Sequence, residues 1–293
     1  MAHNNKRILV TGAAGLIGNA VYKELCKNNE VTGIDNFTRS NAAANVIHTD
    51  VISFLKSDTS HYDYIYHFAA TNGTTSFYDN PNHVLHNNVT LDMDVINYAA
   101  KYGSKLIYAS SSEVVAGTDI FPTPEQVDVT ISDIHNPRWS YRLPKILTEN
   151  YLMNSENIDF VIIRFFNVIS ENSQRGHFIK DITDKLNSNN FDIVGADETR
   201  SFCHIDDIVP AIIELGETQN KEVFNLGSDN EVSILDAANI IAAKLGKTPT
   251  WNKIESRTGS VQRRCPDITK LRNLIDYNPR TFEEIMDEWT FTT

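Results

Sequence analysis

Apolar positions in this chain come in two arrangements. Lys6 to Thr11 (KRILVT), Val31 to Ile34, Tyr62 to Phe68 (YDYIYHF), Lys105 to Ala109 (KLIYA) and Phe160 to Phe165 (FVIIRF) are short, strongly apolar runs with the length of buried strands. Between them lie helical stretches, Leu16 to Lys27 and Asn87 to Ala100, then a helix that carries Tyr141 and continues to about Asn154. Asn45 to Thr49 is expected to add a short strand. Strands alternating with helices predict an α/β fold with a doubly wound parallel sheet. Pro144 sits between Tyr141 and Lys145, and the first turn of a helix is where proline is tolerated, so the helix is expected to begin close to Tyr141.

Beyond Phe165 the order loosens. Phe178 to Leu186, Ile208 to Leu215 and Ser233 to Leu245 read as helices, the last with Ser233 as N-cap and Gly246 past its end. Glu222 to Leu226 reads as a strand that returns to the main sheet. The expected division is a first domain over 1–168, joined by the strand at 222–226, and a smaller, discontinuous cap over 169–293 interleaved with it.

Two local patterns carry chemistry. Gly12, Gly15 and Gly18 (GAAGLIG) follow the first strand and open a helix, the context in which such glycines form a dinucleotide turn. Backbone N–H groups at the helix start, around Leu16 and Ile17, then face the pyrophosphate. Asp35 ends the second strand about twenty residues on, followed by Asn36, and an acid there binds the ribose hydroxyls and repels a 2′-phosphate, which favours NAD over NADP. Tyr141 and Lys145 are four residues apart and share a helix face. A phenol titrates near ~10, and an ammonium about 4 Å away offsets roughly 4 kcal/mol at an effective dielectric of ~20, so the pair can form a tyrosinate base. Small residues at Ala69 and Ala70 after Phe68 let backbone approach the cofactor.

Composition narrows the partners. The chain has 293 residues, 41% of them hydrophobic, and a formal charge of −12. No basic stretch suits nucleic acid, and no apolar run approaches the ~20 residues of a membrane span. The three cysteines are widely spaced and form no CxxC pair, so reduced thiols and a cytoplasmic setting are expected, with Cys26 in the core. No His, Asp and Glu spacing suggests a metal.

The segments GAAGLIG, GIDNFTRS, HTDV, YHFAA, YASSSEVVAG, YRLPK, RFFNV, RSFCHIDD, FNLG and RTGSVQRRCPDITK occur in one order. In that order the chain resembles the extended short-chain dehydrogenase/reductase family, in its branch of nucleotide-sugar epimerases and dehydratases, nearly end to end. The resemblance implies NAD as cofactor, a nucleotide-diphosphate sugar as substrate and a homodimer. It also implies that Asp50 and Val51 contact the adenine, that Ser110, Tyr141 and Lys145 line the cofactor, and that Ser112 binds the sugar hydroxyl from which Tyr141 takes the proton. Asn167, Arg200 and Arg257 match the family's phosphate contacts, and His177 falls where a substrate contact or a simple cap histidine is expected.

Subclass turns on the two residues after the catalytic hydroxyl. Family dehydratases place an acid pair there, and family decarboxylases carry an acid at the second of the two positions. Counted from Ser112 the pair is Glu113 and Val114, and valine cannot move a proton. That counting leaves a 4-epimerase working through transient oxidation at C4, with Glu113 as a lone acid or as a solvated or structural carboxylate. A C4 dehydrogenase or ketoreductase, a 4,6-dehydratase, and a non-catalytic dinucleotide sensor are the alternatives.

Overall fold

The computed structural model describes residues 3–39, 43, 45–131, 133–171, 177–256 and 259–291. Its first elements follow the apolar runs: β1 (Arg7–Thr11), α1 (Leu16–Leu25), β2 (Glu30–Asp35), β3 (Val46–His48), α2 (Val51–Ser57) and β4 (Tyr64–His67). Then come α3 (Thr74–Asp79), α4 (Pro81–Tyr102), β5 (Lys105–Ser111), α5 (Trp139–Met153) and β6 (Phe160–Phe165). A seven-stranded parallel sheet results, in the order Glu222–Leu226, β6, β5, β4, β1, β2, β3. Crossover helices cover such a sheet, so its strands are apolar on both faces. Leu9, Ile34, Ile65, Leu106 and Ile162 from the strands pack with Val95, Ile96 and Ala99 of α4 and Leu152 of α5.

The chain divides into two compact units. The first is Met1–Val114, Pro137–Arg164 and Val209–Phe224; the second is Val115–Asn136, Phe165–Ile208 and Asn225–Thr293. Residues 115–136, inside the first domain of the sequence division, cluster with the second unit. Thr123 holds them there, its N–H bonded to the Cys265 carbonyl at 2.8 Å and its own carbonyl accepting from Asn225 at 2.9 Å. The core of the second unit joins Ile179, Ile182 and Leu186 to Ala238, Ile241, Phe282 and Ile285. Ser233 caps its helix Ile234–Lys244 by accepting from the Asp236 N–H, and Gly246 follows with a φ of 66°.

Three local expectations are corrected. Helix α5 starts at Trp139, so Pro144 is its sixth residue and lies in the second turn. Earlier backbone bonds, Ser140 N–H to the Pro137 carbonyl and Arg142 N–H to the Arg138 carbonyl, nucleate the helix ahead of Tyr141. Cys26 is exposed, because α1 ends at Leu25 and leaves the thiol at its C-cap. The helix expected over Ile208 to Leu215 runs over Ile205–Thr218.

Just ahead of β1, His3 is buried against the sheet. Its Nε2 accepts from the Tyr66 hydroxyl at 2.7 Å and its Nδ1–H faces Glu217 at 3.2 Å. Burial, with Lys105 and Lys6 assisting, lowers its pKa from 6.5 to about 4. Above 6.5 the ring is neutral whether folded or not, and as pH falls toward 4 only the unfolded chain takes the proton. Stability from this group is therefore full above 6.5 and is lost as pH falls through that window, by at most about 3 kcal/mol. Denaturant unfolding across the window is expected to show the loss in the native chain and a shallower slope in His3→Gln.

Candidate active site

Strand ends bring the predicted residues of the first unit to one edge. Thr11, Asp35, His67 and Ser111 are the last residues of β1, β2, β4 and β5, and ligands of doubly wound sheets bind beyond such carboxyl ends. At the first of them the backbone turns within three residues. Gly12 has a φ of 70°, and a Cβ there would lie 2.7 Å from the Ala69 nitrogen. A Cβ at Gly18 would lie 2.1 Å from the Gly12 carbonyl oxygen. Both positions exclude any side chain, which leaves main chain bare where Leu16 and Ile17 begin α1. Asp35 closes the cradle: its carboxylate accepts from the Ala14 N–H at 3.0 Å and the Phe37 N–H at 2.7 Å. Asn36 and Asp50 are exposed, Asp50 as the N-cap of α2 accepting from Ser53 at 2.8 Å, while Val51 is buried.

Phe68, Ala69 and Ala70 are half-buried after β4. Phe68 N–H donates to the Thr11 carbonyl at 3.1 Å, and the loop beyond is clamped by Asn88 of α4, which both accepts from Thr71 N–H at 2.7 Å and donates to its carbonyl at 2.9 Å. Arg39 extends toward Gly73, its guanidinium carbon 3.7 Å from where a Cβ there would stand.

Around Tyr141 the arrangement differs from expectation in three respects. Its ring stacks on Phe77 at 5.0 Å and is only 7% exposed, and that burial, with the charges of Glu113 and Asp92, raises the phenol above its ordinary range. The Ser111 hydroxyl acts on the phenol in the lowering direction. Ser112 is buried one residue farther on. Lys145 is directed elsewhere: its Nζ donates to the Tyr108 hydroxyl at 2.9 Å and stands 3.8 Å from Asp92, but 5.9 Å from the Tyr141 ring centre. A shared helix face brought the two side chains near, and a buried carboxylate decided where the ammonium went.

Glu113 is no solvated carboxylate. It pairs with Arg138 at 2.5 Å, its side chain 9% exposed, and its N–H donates to the Ser111 hydroxyl at 3.2 Å, a turn that folds it back toward Tyr141. Ser110 faces inward, donating to Glu149 at 2.5 Å, and Glu149 in turn is held by Arg164 at 2.6 Å. Its hydroxyl thus belongs to the core.

In the second unit, Asn167 has a φ of 33° and donates from Nδ2 to the Ser201 carbonyl at 3.1 Å. Arg200 pairs with Glu198 at 2.6 Å and donates to the Thr199 carbonyl at 2.7 Å, so its charge is partly met within the chain. His177 is the half-buried N-cap of the helix Phe178–Asn187. Arg257 lies outside the described residues. Asp207 binds Arg280 at 2.9 Å, a structural anchor. Among the described residues no group of His, Cys, Asp and Glu could hold a metal, and no helix is long and apolar enough to cross a membrane.

The family model described as NAD dependent epimerase/dehydratase matches residues 8–227. The chain belongs to that family. Members are enzymes that take NAD as cofactor, and the bare turn at Gly12 and Gly18 with Asp35 beside it fits the dinucleotide. Among curated relatives, the UDP-N-acetyl-alpha-D-glucosaminuronate decarboxylase of Bacillus cytotoxicus is 28% identical over 94% of this chain and 93% of its own length. Among solved structures, an epimerase of Methanothermobacter thermautotrophicus is 28% identical with a TM-score of 0.82, covering 97% of this chain and 90% of that one. A dTDP-glucose 4,6-dehydratase of Streptomyces venezuelae, solved with NAD bound, shares the fold at a TM-score of 0.84 and 20% identity, over 96% of each chain.

Gly18→Ala tests the family's turn in this chain. With 2.1 Å to backbone oxygen, the methyl group must displace α1 from β1. A loss of about 1–3 kcal/mol in stability is expected from overpacking, together with lost NAD binding, by thermal melting and calorimetry.

Proposed function

We propose that this enzyme decarboxylates a nucleotide-linked hexuronic acid after oxidation at C4. The observation that carries the reading is that the Ser111 hydroxyl, at the end of β5, acts on the Tyr141 phenol in the direction that lowers its pKa. Counting from Ser111 in place of Ser112 moves the register by one residue, so the second position after the reacting hydroxyl is Glu113 rather than Val114. An acid at that position is what family decarboxylases carry, and the relative from Bacillus cytotoxicus is a decarboxylase of a UDP-linked uronic acid.

Each residue then has a defined task. NAD, when bound, takes the hydride from C4 and returns it. Ser111 orients the C4 hydroxyl, and Tyr141 receives its proton. A C4 ketone stands β to the C5 carboxylate, so the bond from C5 to that carboxylate breaks with its electron pair delocalised onto the C4 oxygen, where the Tyr141 hydroxyl donates a hydrogen bond. Carbon dioxide leaves, and Glu113, held by Arg138, takes a proton from water and passes it to C5. With the hydride returned there is no net redox change. Burial and two carboxylates raise the phenol, and the positive charge of an oxidised nicotinamide, were it bound here, would favour Tyr141 as a base.

A 4-epimerase is the second reading, favoured by the 28% identical epimerase structure and by Val114 if Ser112 is the reacting hydroxyl. A panel of UDP-linked uronic acids and neutral sugars separates the two. The expected product from a uronic acid has lost the mass of carbon dioxide; an isomer of unchanged mass from a neutral sugar, with uronic acids untouched, rejects decarboxylation. Glu113→Gln is expected to lower turnover about 10²–10⁴-fold while C4 oxidation still produces reduced nicotinamide absorbance. Ser111→Ala is expected to cost more than Ser112→Ala, and Tyr141→Phe to abolish turnover but spare NAD binding.

The assembly reading is a homodimer. Leu147 and Tyr151, one turn apart on α5, are 45% and 46% exposed, and Leu85 of α4 is exposed too. Paired copies would cover this apolar face. Light scattering is expected to give twice the chain mass for the native protein and the single-chain mass for Leu147→Glu/Tyr151→Glu; a monomeric native protein rejects it.

A further inference from the structure

Helix α4 buries an acid for which the reaction above has no task. Asp92 is fully buried, yet it lies on the stripe with Asn88, Val95 and Ala99 that α4 turns to the sheet. Its Oδ1 faces His67 Nε2 at 3.1 Å; its Oδ2 accepts from the Tyr108 hydroxyl at 2.5 Å and the Thr148 hydroxyl at 3.0 Å, with Lys145 Nζ at 3.8 Å.

The donors fix the direction of every bond. Burial keeps His67 neutral, and a carboxylate only accepts, so the proton of that ring is on Nε2. Nδ1 must then accept from the Thr11 hydroxyl, 2.6 Å away, and the Thr11 oxygen is left to accept from the Ala69 N–H at 3.3 Å. An unbroken chain therefore runs from Ala69, which packs against the glycine turn, through Thr11 and His67 to Asp92, and from Asp92 directly and through Tyr108 to Lys145. Burial raises Asp92, but Lys145, His67 and Tyr108 outweigh it and hold its carboxyl below the usual range. Burial likewise lowers Lys145, against the opposing pull of Asp92 and Glu149.

We propose that Asp92 is the positioning residue of Lys145, a buried counter-charge on α4 that keeps the ammonium ionised and aims it along the edge where cofactor and substrate meet. The positioning rests on the reading of a C4 oxidation; the charge coupling between the two side chains does not. The titratable groups that face Lys145 are His67 from β4, Asp92 from α4, Tyr108 from β5, and Tyr141 and Glu149 from α5. His67 is neutral, both phenols are raised by burial, and Glu149 is matched by Arg164 of β6. Asp92 is thus the charge that Lys145 answers to.

The test is the titration of Lys145 itself, monitored by NMR in the full-length protein labelled with carbon-13 lysine, the signal assigned by its absence in Lys145→Arg. In Asp92→Asn the midpoint is expected to fall by about 1–3 pH units, as for loss of an opposite charge within about 4–6 Å. The alkaline limb of NAD affinity, measured by calorimetry, is expected to move down with it. An unmoved midpoint overturns the proposal, even if melting temperature drops. Should Asp92→Asn not fold, the double variant Asp92→Asn/Lys145→Met decides: recovery of folding shows that the uncompensated ammonium was at fault, and continued failure assigns Asp92 to packing and rejects the role. A protein that turns over no nucleotide sugar defeats the functional reading and leaves this titration intact.

Discussion

One carboxylate, buried at the centre of the first unit, sets the geometry around it. Asp92 takes bonds from β4, β5 and α5 at once, so the position of α4 on the sheet is registered by polar contacts as well as by apolar packing. A buried ion pair gains little over apolar packing of equal shape, because desolvation offsets most of the attraction; removing one partner alone costs about 3–5 kcal/mol. What the pair contributes is definition: each hydroxyl and ring proton has one direction. Lys145 consequently has a single orientation in a place where an unpaired lysine would sample several.

The glycine turn and the Tyr141 environment depend on that registration. Ala69 must lie close enough to Gly12 that no Cβ fits between them, and its N–H is tied to the same network through Thr11. On the other side, α5 carries Tyr141, Lys145 and Thr148 together, so fixing Thr148 and Lys145 to Asp92 also places the phenol. The serine run at the end of β5 then decides which hydroxyl the phenol meets. Strand residues alternate faces, so the Ser111 hydroxyl acts on the Tyr141 phenol while Ser110 turns into the core toward Glu149. Under the proposed reading, a one-residue difference in this choice changes which residue is the acid of the second step.

Much of the fold was legible because the signals are local or periodic. Apolar runs, glycines needing bare backbone and an acid ending the second strand all act over a few residues, and each recurs in the structure. Asp92 went unread, although an acid inside the apolar stripe of a helix signals a buried partner; its partners come from 25 residues before it, at His67, and from Lys145 and Thr148 beyond the next strand. Spacing along one helix cannot reveal them.

Sequence by itself determined the strand and helix alternation, the dinucleotide turn and the placement of Tyr141 and Lys145 on one helix face, since these arise from steric and hydrogen-bond rules acting within a turn or a strand. Only tertiary structure decided that Lys145 reaches Asp92 and Tyr108, that the Ser111 hydroxyl acts on the phenol, that α5 begins two residues early, and that residues 115–136 join the second unit. Those outcomes are set by competition among distant partners for a few buried positions, where desolvation makes each unmet charge or hydroxyl costly.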